Sequence, residues 1–284
     1  MARPELRRML SQGETFFAPA VWDPVTARLA RHAGFKALYV PADETGIVIG
    51  EVRELTTLTQ TAMVAERALE GVDDELPMIV DVRCASVAET RLAVRTLEDA
   101  GVTAVHLEDP SSAHEASLNN YQNCISAAAL KRTDNDFVII AGIHGTQLMA
   151  GGANARDEVA RRARSAVAAG ADVLFIKGMR PGTDDLQFFR SRLGSIPMAT
   201  VPCDGGSLSL DDYRNLGYQL VLYPRVIQPA MQAVHDVYKH VKDTGGLPVI
   251  PQAQLDDVMA VWWTLVGMEE KWAVEAATTE VGKV

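Results

Sequence analysis

Cysteine is scarce in this chain. Cys84, Cys124 and Cys203 are its three cysteines, widely separated and outside any CxxC or Cys/His spacing, so neither a disulfide framework nor a structural zinc site is indicated, and a reducing compartment suits it. Long apolar runs are missing too. No stretch approaches the roughly 18 continuous apolar residues of a membrane span. The opening Met1-Ala2-Arg3-Pro4-Glu5-Leu6-Arg7-Arg8 carries no apolar leader core. The expectation is a cytoplasmic protein, neither exported nor anchored. Positive charge is in deficit, with 27 Lys and Arg against 37 Asp and Glu and a net charge of −10. No basic stripe breaks this acidic background, so a nucleic-acid backbone would be repelled.

What is present is core-forming material: 48% of the 284 residues are hydrophobic and 23% charged, which excludes a disordered or collagen-like chain. Eight short apolar runs, at 16–20, 37–42, 78–83, 104–109, 137–144, 173–179, 197–203 and 220–225, alternate with helical patterns. Continuous apolar runs suit strands covered on both faces, and the alternation describes βαβ units. Gly34, Gly101, Gly170 and Gly217 each end a helical pattern just before a strand, where glycine supplies a left-handed stop. No GxGxxG follows the first strand, so a (β/α)8 TIM barrel over 1–246 is favoured over an open doubly wound sheet. A further helical segment at 247–284 carries Trp262, Trp263 and Trp272, too much apolar surface for a free tail. It folds back on its own barrel or packs on a neighbouring subunit.

In a parallel barrel the strand C-termini converge on one mouth. That rule names Tyr39 and Asp43 after strand two, Asp81 and Arg83 at strand three, Glu108 and Asp109 at strand four, and His144 at the end of strand five. It adds Lys177 on strand six, Cys203 and Asp204 after strand seven, and Tyr223 and Arg225 at strand eight. Period-two alternation puts Asp81 with Arg83, and His106 with Glu108, on single strand faces. Each such group is either a satisfied ion pair at the rim or a functional residue; His106, mid-strand, is expected to pack in the core.

Several stretches in order resemble the isocitrate lyase and phosphoenolpyruvate mutase superfamily: Phe17-Ala18-Pro19-Ala20-Val21-Trp22-Asp23-Pro24, LARHAGFKALYV (29–40), PMIVDV (77–82), AGVTAVHLEDP (100–110), AGADVLFIKG (169–178) and LGYQLVLYPRVIQPAMQAV (216–234). The resemblance implies a barrel whose last helix is exchanged within a homotetramer or dimer of dimers. It also implies a small 2-oxo acid or its enolate held at the mouth beside Mg²⁺, and a lyase that makes or breaks a bond alpha to the carbonyl. No organic cofactor is expected.

The chain departs from that pattern at several points. The metal loop, usually Asp-Ala-Asp-Thr-Gly, reads Asp81-Val82-Arg83-Cys84-Ala85, and the small residues after strand two are replaced by Pro41-Ala42-Asp43. The Lys-Lys-Cys-Gly-His loop of isocitrate and methylisocitrate lyases is absent after Asp109; the strand-five arginine falls at Gly142 and the strand-six glutamate at Lys177. The resemblance therefore implies a lyase acting through an enolate-like intermediate, but not a typical isocitrate or methylisocitrate lyase. An oxo-acid decarboxylase or hydrolase, or an inactive small-molecule-binding paralogue, is the alternative. Arg83, His144 and Lys177 are the candidate catalytic groups, and Tyr39, Asp43, Asp81, Glu108 and Cys203 the candidate substrate contacts. Asp81 and Glu108 remain to hold Mg²⁺, weakened by the loss of the second loop aspartate, with Arg83 and Lys177 supplying positive charge in its place.

Overall fold

The apolar runs become eight parallel strands: β1 (Phe16–Pro19), β2 (Leu38–Val40), β3 (Met78–Arg83), β4 (Ala104–Glu108), β5 (Val138–His144), β6 (Val173–Lys177), β7 (Met198–Thr200) and β8 (Leu220–Tyr223). The computed structural model describes residues 2–73, 75–83, 86–109, 115–145, 155–179, 183–202, 208–268 and 271–272. Neighbours follow the order β1-β8-β7-β6-β5-β4-β3-β2, and a parallel bridge from Ala20 to Tyr39 joins β1 to β2 and closes the ring. The helices before and between the strands are α1 (Ala2–Ser11), α2 (Pro24–His32), α3 (Ala42–Ile49), α4 (Leu58–Glu70), α5 (Val87–Asp99), α6 (Glu115–Lys131), α7 (Ala155–Ala168), α8 (Asp184–Leu193) and α9 (Leu210–Asn215).

Alternation along the strands divides the core in two. Phe16, Ala18, Tyr39, Ile79, Ile140, Phe175 and Leu222 fill the barrel interior, while Val80, Val82, Leu107, Ile139 and Ile176 face the helices. Helix α1 adds Leu6, Met9 and Leu10 to the interior cluster. Its Arg3 and Arg7 donate to the Val102 and Phe137 carbonyls, just before β4 and β5, so α1 covers the N-terminal end of the barrel and leaves the opposite end for chemistry. Gly34, Gly101, Gly170 and Gly217 all have φ between +78° and +109°, as expected of helix stops. The second strand is shorter than the run suggests because Pro41 brings no N–H to the ladder and Ala42 already begins α3. The expected seventh strand extends past Val201-Pro202 into positions outside the described residues.

The chain divides into two compact units, 1–227 and 228–284. The second holds most of α10 (Ile227–Thr244) and α11 (Gln252–Leu265). Along α10, Met231, Val234, Tyr238 and Val241 recur at three- and four-residue spacing and are exposed; Leu255, Met259, Trp262 and Trp263 do the same along α11. No helix among the described residues is long and apolar enough to cross a membrane.

Candidate active site

The inward columns continue upward from the interior core. Register pairs Asp81 with His106, Arg83 with Glu108, Glu108 with Gly142, and His144 with Lys177. Alternation thus brings Asp81, His106, Glu108, Gly142, His144 and Lys177 to the C-terminal end of one face.

Glu108 is the centre of the cluster. Lys177 Nζ donates to its Oε1 at 2.8 Å and Arg53 Nη2 to its Oε2 at 3.3 Å. The same Arg53 nitrogen lies 4.0 Å from Asp81 Oδ2, and Nη1 lies 3.4 Å from Asp43 Oδ1. Asp81 accepts the Ala42 N–H at the start of α3 at 3.4 Å, while its Oδ1, 3.9 Å from His106 Nδ1, has no hydrogen-bond partner among the described residues. Beneath it, Tyr39 Oη sits 3.3 Å from His106 Nδ1, and the imidazole meets the Phe175 ring edge-on with centroids 4.8 Å apart.

These surroundings separate the protonation states. Burial raises the Asp81 carboxyl to about 7, helped by the charge of Glu108 and opposed by Arg53 and Lys177. Burial also works against the Glu108 carboxylate, but His106, Lys177 and Arg53 outweigh it and bring it down to about 2. Burial lowers His106 to about 4 and lowers His144 as well, with Lys177 adding to the second shift. Burial and the nearby carboxylates raise Tyr39 well above its ordinary value. A phenol that stays protonated donates to His106 Nδ1 or accepts from it, according to which ring nitrogen carries the proton.

Other residues named by the strand-end rule lie elsewhere. Asp109 pairs with Arg162 of α7 at 3.5 Å, away from Glu108, and Tyr223 packs edge-on against Phe17. The Arg225 N–H binds the buried carboxylate of Glu44. Arg83 is exposed and lines a cleft of about 400 Å³ together with Asp81, Arg53, Leu58 and Leu92. Cys203 and Asp204 lie outside the described residues, as do Cys84 and Ala85 of the strand-three loop. Arg53 is the residue that motif reading passed over. It stands in the connection between α3 and α4, which opens on the mouth, and the signal was one basic residue between Glu51 and Glu54.

Gly142 admits the His106 ring. A Cβ there would lie 2.6 Å from His106 Nε2 and 3.3 Å from the Glu108 Cα. Gly142→Ala is therefore expected to displace the imidazole and lower stability by about 1–3 kcal/mol. Chemical denaturation of the variant checks this, and an unchanged midpoint would show that the ring moves freely.

The residues present do not fit Mg²⁺ well. That ion needs near-octahedral oxygen ligation, yet both Glu108 oxygens are already engaged by cations and the Asp81 carboxyl is raised toward neutrality. No group of three acidic, His or Cys side chains suited to a metal exists among the described residues.

A family model described as phosphoenolpyruvate phosphomutase matches residues 6–242. The chain is 29% identical over 289 residues to the phosphonopyruvate hydrolase of Variovorax sp. (strain Pal2), across 95% of this chain and 97% of the relative. It is 30% identical over 263 residues to the probable 2-methylisocitrate lyase 2 of Corynebacterium glutamicum, across 86% and 81%. Among solved structures, 2,3-dimethylmalate lyase superposes with a TM-score of 0.81 at 25% identity over 97% of this chain and 98% of that one. Phosphonopyruvate hydrolase in complex with oxalate and Mg²⁺ gives 0.81 at 26% identity over 97% and 99%. Sequence and fold thus agree, and the chain belongs to the phosphoenolpyruvate phosphomutase family, within the isocitrate lyase/phosphoenolpyruvate mutase superfamily.

Proposed function

We propose that this protein is a lyase that breaks or forms a carbon–carbon bond alpha to the carbonyl of a small 2-oxo or related carboxylic acid, through an enolate-like intermediate. The observation that carries the reading is the convergence of Lys177 and Arg53 on Glu108 beside the buried Asp81. An ammonium and a guanidinium fixed at a barrel mouth give donors for the carboxylate and carbonyl oxygens of such an acid. As the bond breaks, its electron pair moves onto the carbonyl oxygen, where fixed positive charge stabilises the developing enolate. Asp81, with one oxygen unpartnered among the described residues and a pKa raised to about 7, is tuned to move a proton near neutral pH. The neutral His144, beside Lys177 in register, is the second candidate for that transfer. Mg²⁺ in this reading is held more weakly than where a second loop aspartate stands in place of Arg83.

Turnover of a panel of 2-oxo and 2-hydroxy dicarboxylates together with phosphonopyruvate, with and without EDTA, tests the reading. Cleavage to a 2-oxo acid and a second carbonyl fragment, retained in EDTA, is the expected result. Release of phosphate from phosphonopyruvate alone would make the protein a hydrolase. Binding of oxalate with no turnover of any compound would make it a binding protein on the same scaffold.

We also infer a homo-oligomer, a tetramer or dimer of dimers, formed through the C-terminal helices. The exposed apolar stripes of α10 and α11 are the support, since monomers rarely leave such surface open to water. Truncation after Gly246 is expected to give aggregated or dissociated protein by light scattering. An unchanged, soluble oligomer would overturn the inference.

A further inference from the structure

We infer that the Arg53 guanidinium occupies the seat of a divalent cation between Asp81 and Glu108, making this site one that carries its own cation. The inference deepens the lyase reading, because it names what supplies positive charge to the substrate oxyanion.

The geometry starts in the connection between α3 and α4. Glu51 N–H bonds to the Gly46 carbonyl at 2.8 Å, folding the segment back onto α3. A Cβ on Gly46 would meet the Glu51 carbonyl oxygen at 2.7 Å and the Arg53 backbone nitrogen at 3.1 Å. Glycine is therefore what lets backbone approach helix so closely, and the approach delivers Arg53 to the mouth. There one nitrogen, Nη2, faces oxygens of both Asp81 and Glu108, while Nη1 faces Asp43. The Arg53 side chain is 18% exposed and those of Asp81 and Glu108 are 5% and 12% exposed, so water screens the arrangement only in part.

The charge count agrees. Lys177 engages the other Glu108 oxygen at 2.8 Å, so two fixed monovalent cations stand against the Glu108 carboxylate and the Asp81 carboxyl, matching in sum the charge of one divalent ion. A guanidinium donates hydrogen bonds in one plane and cannot accept oxygen ligands. It therefore stabilises an enolate oxygen by charge-assisted hydrogen bonding. No binding or release of a metal ion is then needed.

The test is a calorimetric titration of the full chain with Mn²⁺ alone, which involves no substrate and so is independent of whether the lyase reading stands. Wild type is expected to show weak or no uptake. Arg53→Ala is expected to gain Mn²⁺ affinity by at least about 30-fold, because a unit charge a few ångströms from the ion has been removed. Adding Asp81→Asn to that variant should abolish the gain, and guanidinium ion at low concentration should compete with Mn²⁺ in Arg53→Ala. Gly46→Ala moves the segment without removing a charge and is expected to give an intermediate gain; it keeps the test open if Arg53→Ala fails to fold. Wild type that binds Mn²⁺ as tightly as Arg53→Ala overturns the inference, as does the absence of any gain in both variants.

Discussion

Replacing Lys177 with methionine is expected to reduce kcat/KM about 10³-fold and to weaken oxalate binding about 30-fold, the scale of losing one charged donor from a preorganised oxyanion site. Methionine keeps most of the apolar stem, so the loss reports the ammonium group. The larger effect on turnover follows from where charge develops. An oxalate oxygen is already negative in the ground state, whereas the carbonyl oxygen of a 2-oxo acid becomes fully negative only as the bond breaks, and an interaction stronger in the transition state appears in kcat. Lys177 Nζ lies 2.8 Å from Glu108 and the side chain is 37% exposed, so it can turn from its carboxylate partner toward a ligand. Steady-state kinetics and calorimetry of the variant provide the check. A variant within about three-fold of wild type in both quantities would reduce the Lys177–Glu108 pair to a rim ion pair of the kind that contributes little.

The barrel was legible in the sequence because burial on both faces leaves a signature that no single substitution erases. The runs around Ile79, Val105, Ile139 and Leu174 are continuous in β-branched and aliphatic residues, and all four residues are fully buried. Strand ends were read less well where backbone chemistry cuts the ladder. Pro41 stops β2 and α3 begins at once, so the run 37–42 held a strand of only Leu38–Val40.

The site divides along similar lines. Asp81, Glu108, His144 and Lys177 sit on strands, where period two and the direction of the sheet fix which face and which end they reach, and the structure brings them together. Arg53 has no such rule. Its position depends on how the chain between α3 and α4 folds back over Gly46, and that packing leaves no periodic trace. Asp109 shows the opposite case. It follows Glu108 directly, yet the same alternation turns it outward to Arg162.

Asp81→Asn is expected to make the protein more stable at pH 8 by about 2 kcal/mol and less stable at pH 4 by a similar amount. The sign follows from the direction of the shift. Burial, then the charge of Glu108, raises the folded pKa from 3.8 to about 7. The folded state therefore holds the proton more tightly than the unfolded chain does, and wild-type stability falls as pH rises from about 4 to 7 and then levels off. Asparagine has no proton to lose and escapes that penalty. The full shift corresponds to about 4 kcal/mol between the two pH values, and the buried amide, which must find partners for its own NH₂ group, costs about 2 kcal/mol at both. Glu108 loses its stabilisation only as pH falls below 4.5 toward 2, so at pH 8 it does not enter the reading. Urea denaturation of wild type and variant at the two pH values measures the difference. An equal difference at pH 4 and pH 8, or a variant less stable at pH 8, would show that Asp81 is ionised in the folded protein at little cost. The expected outcome, stability gained where activity is lost, is what a buried carboxylate kept for proton transfer requires.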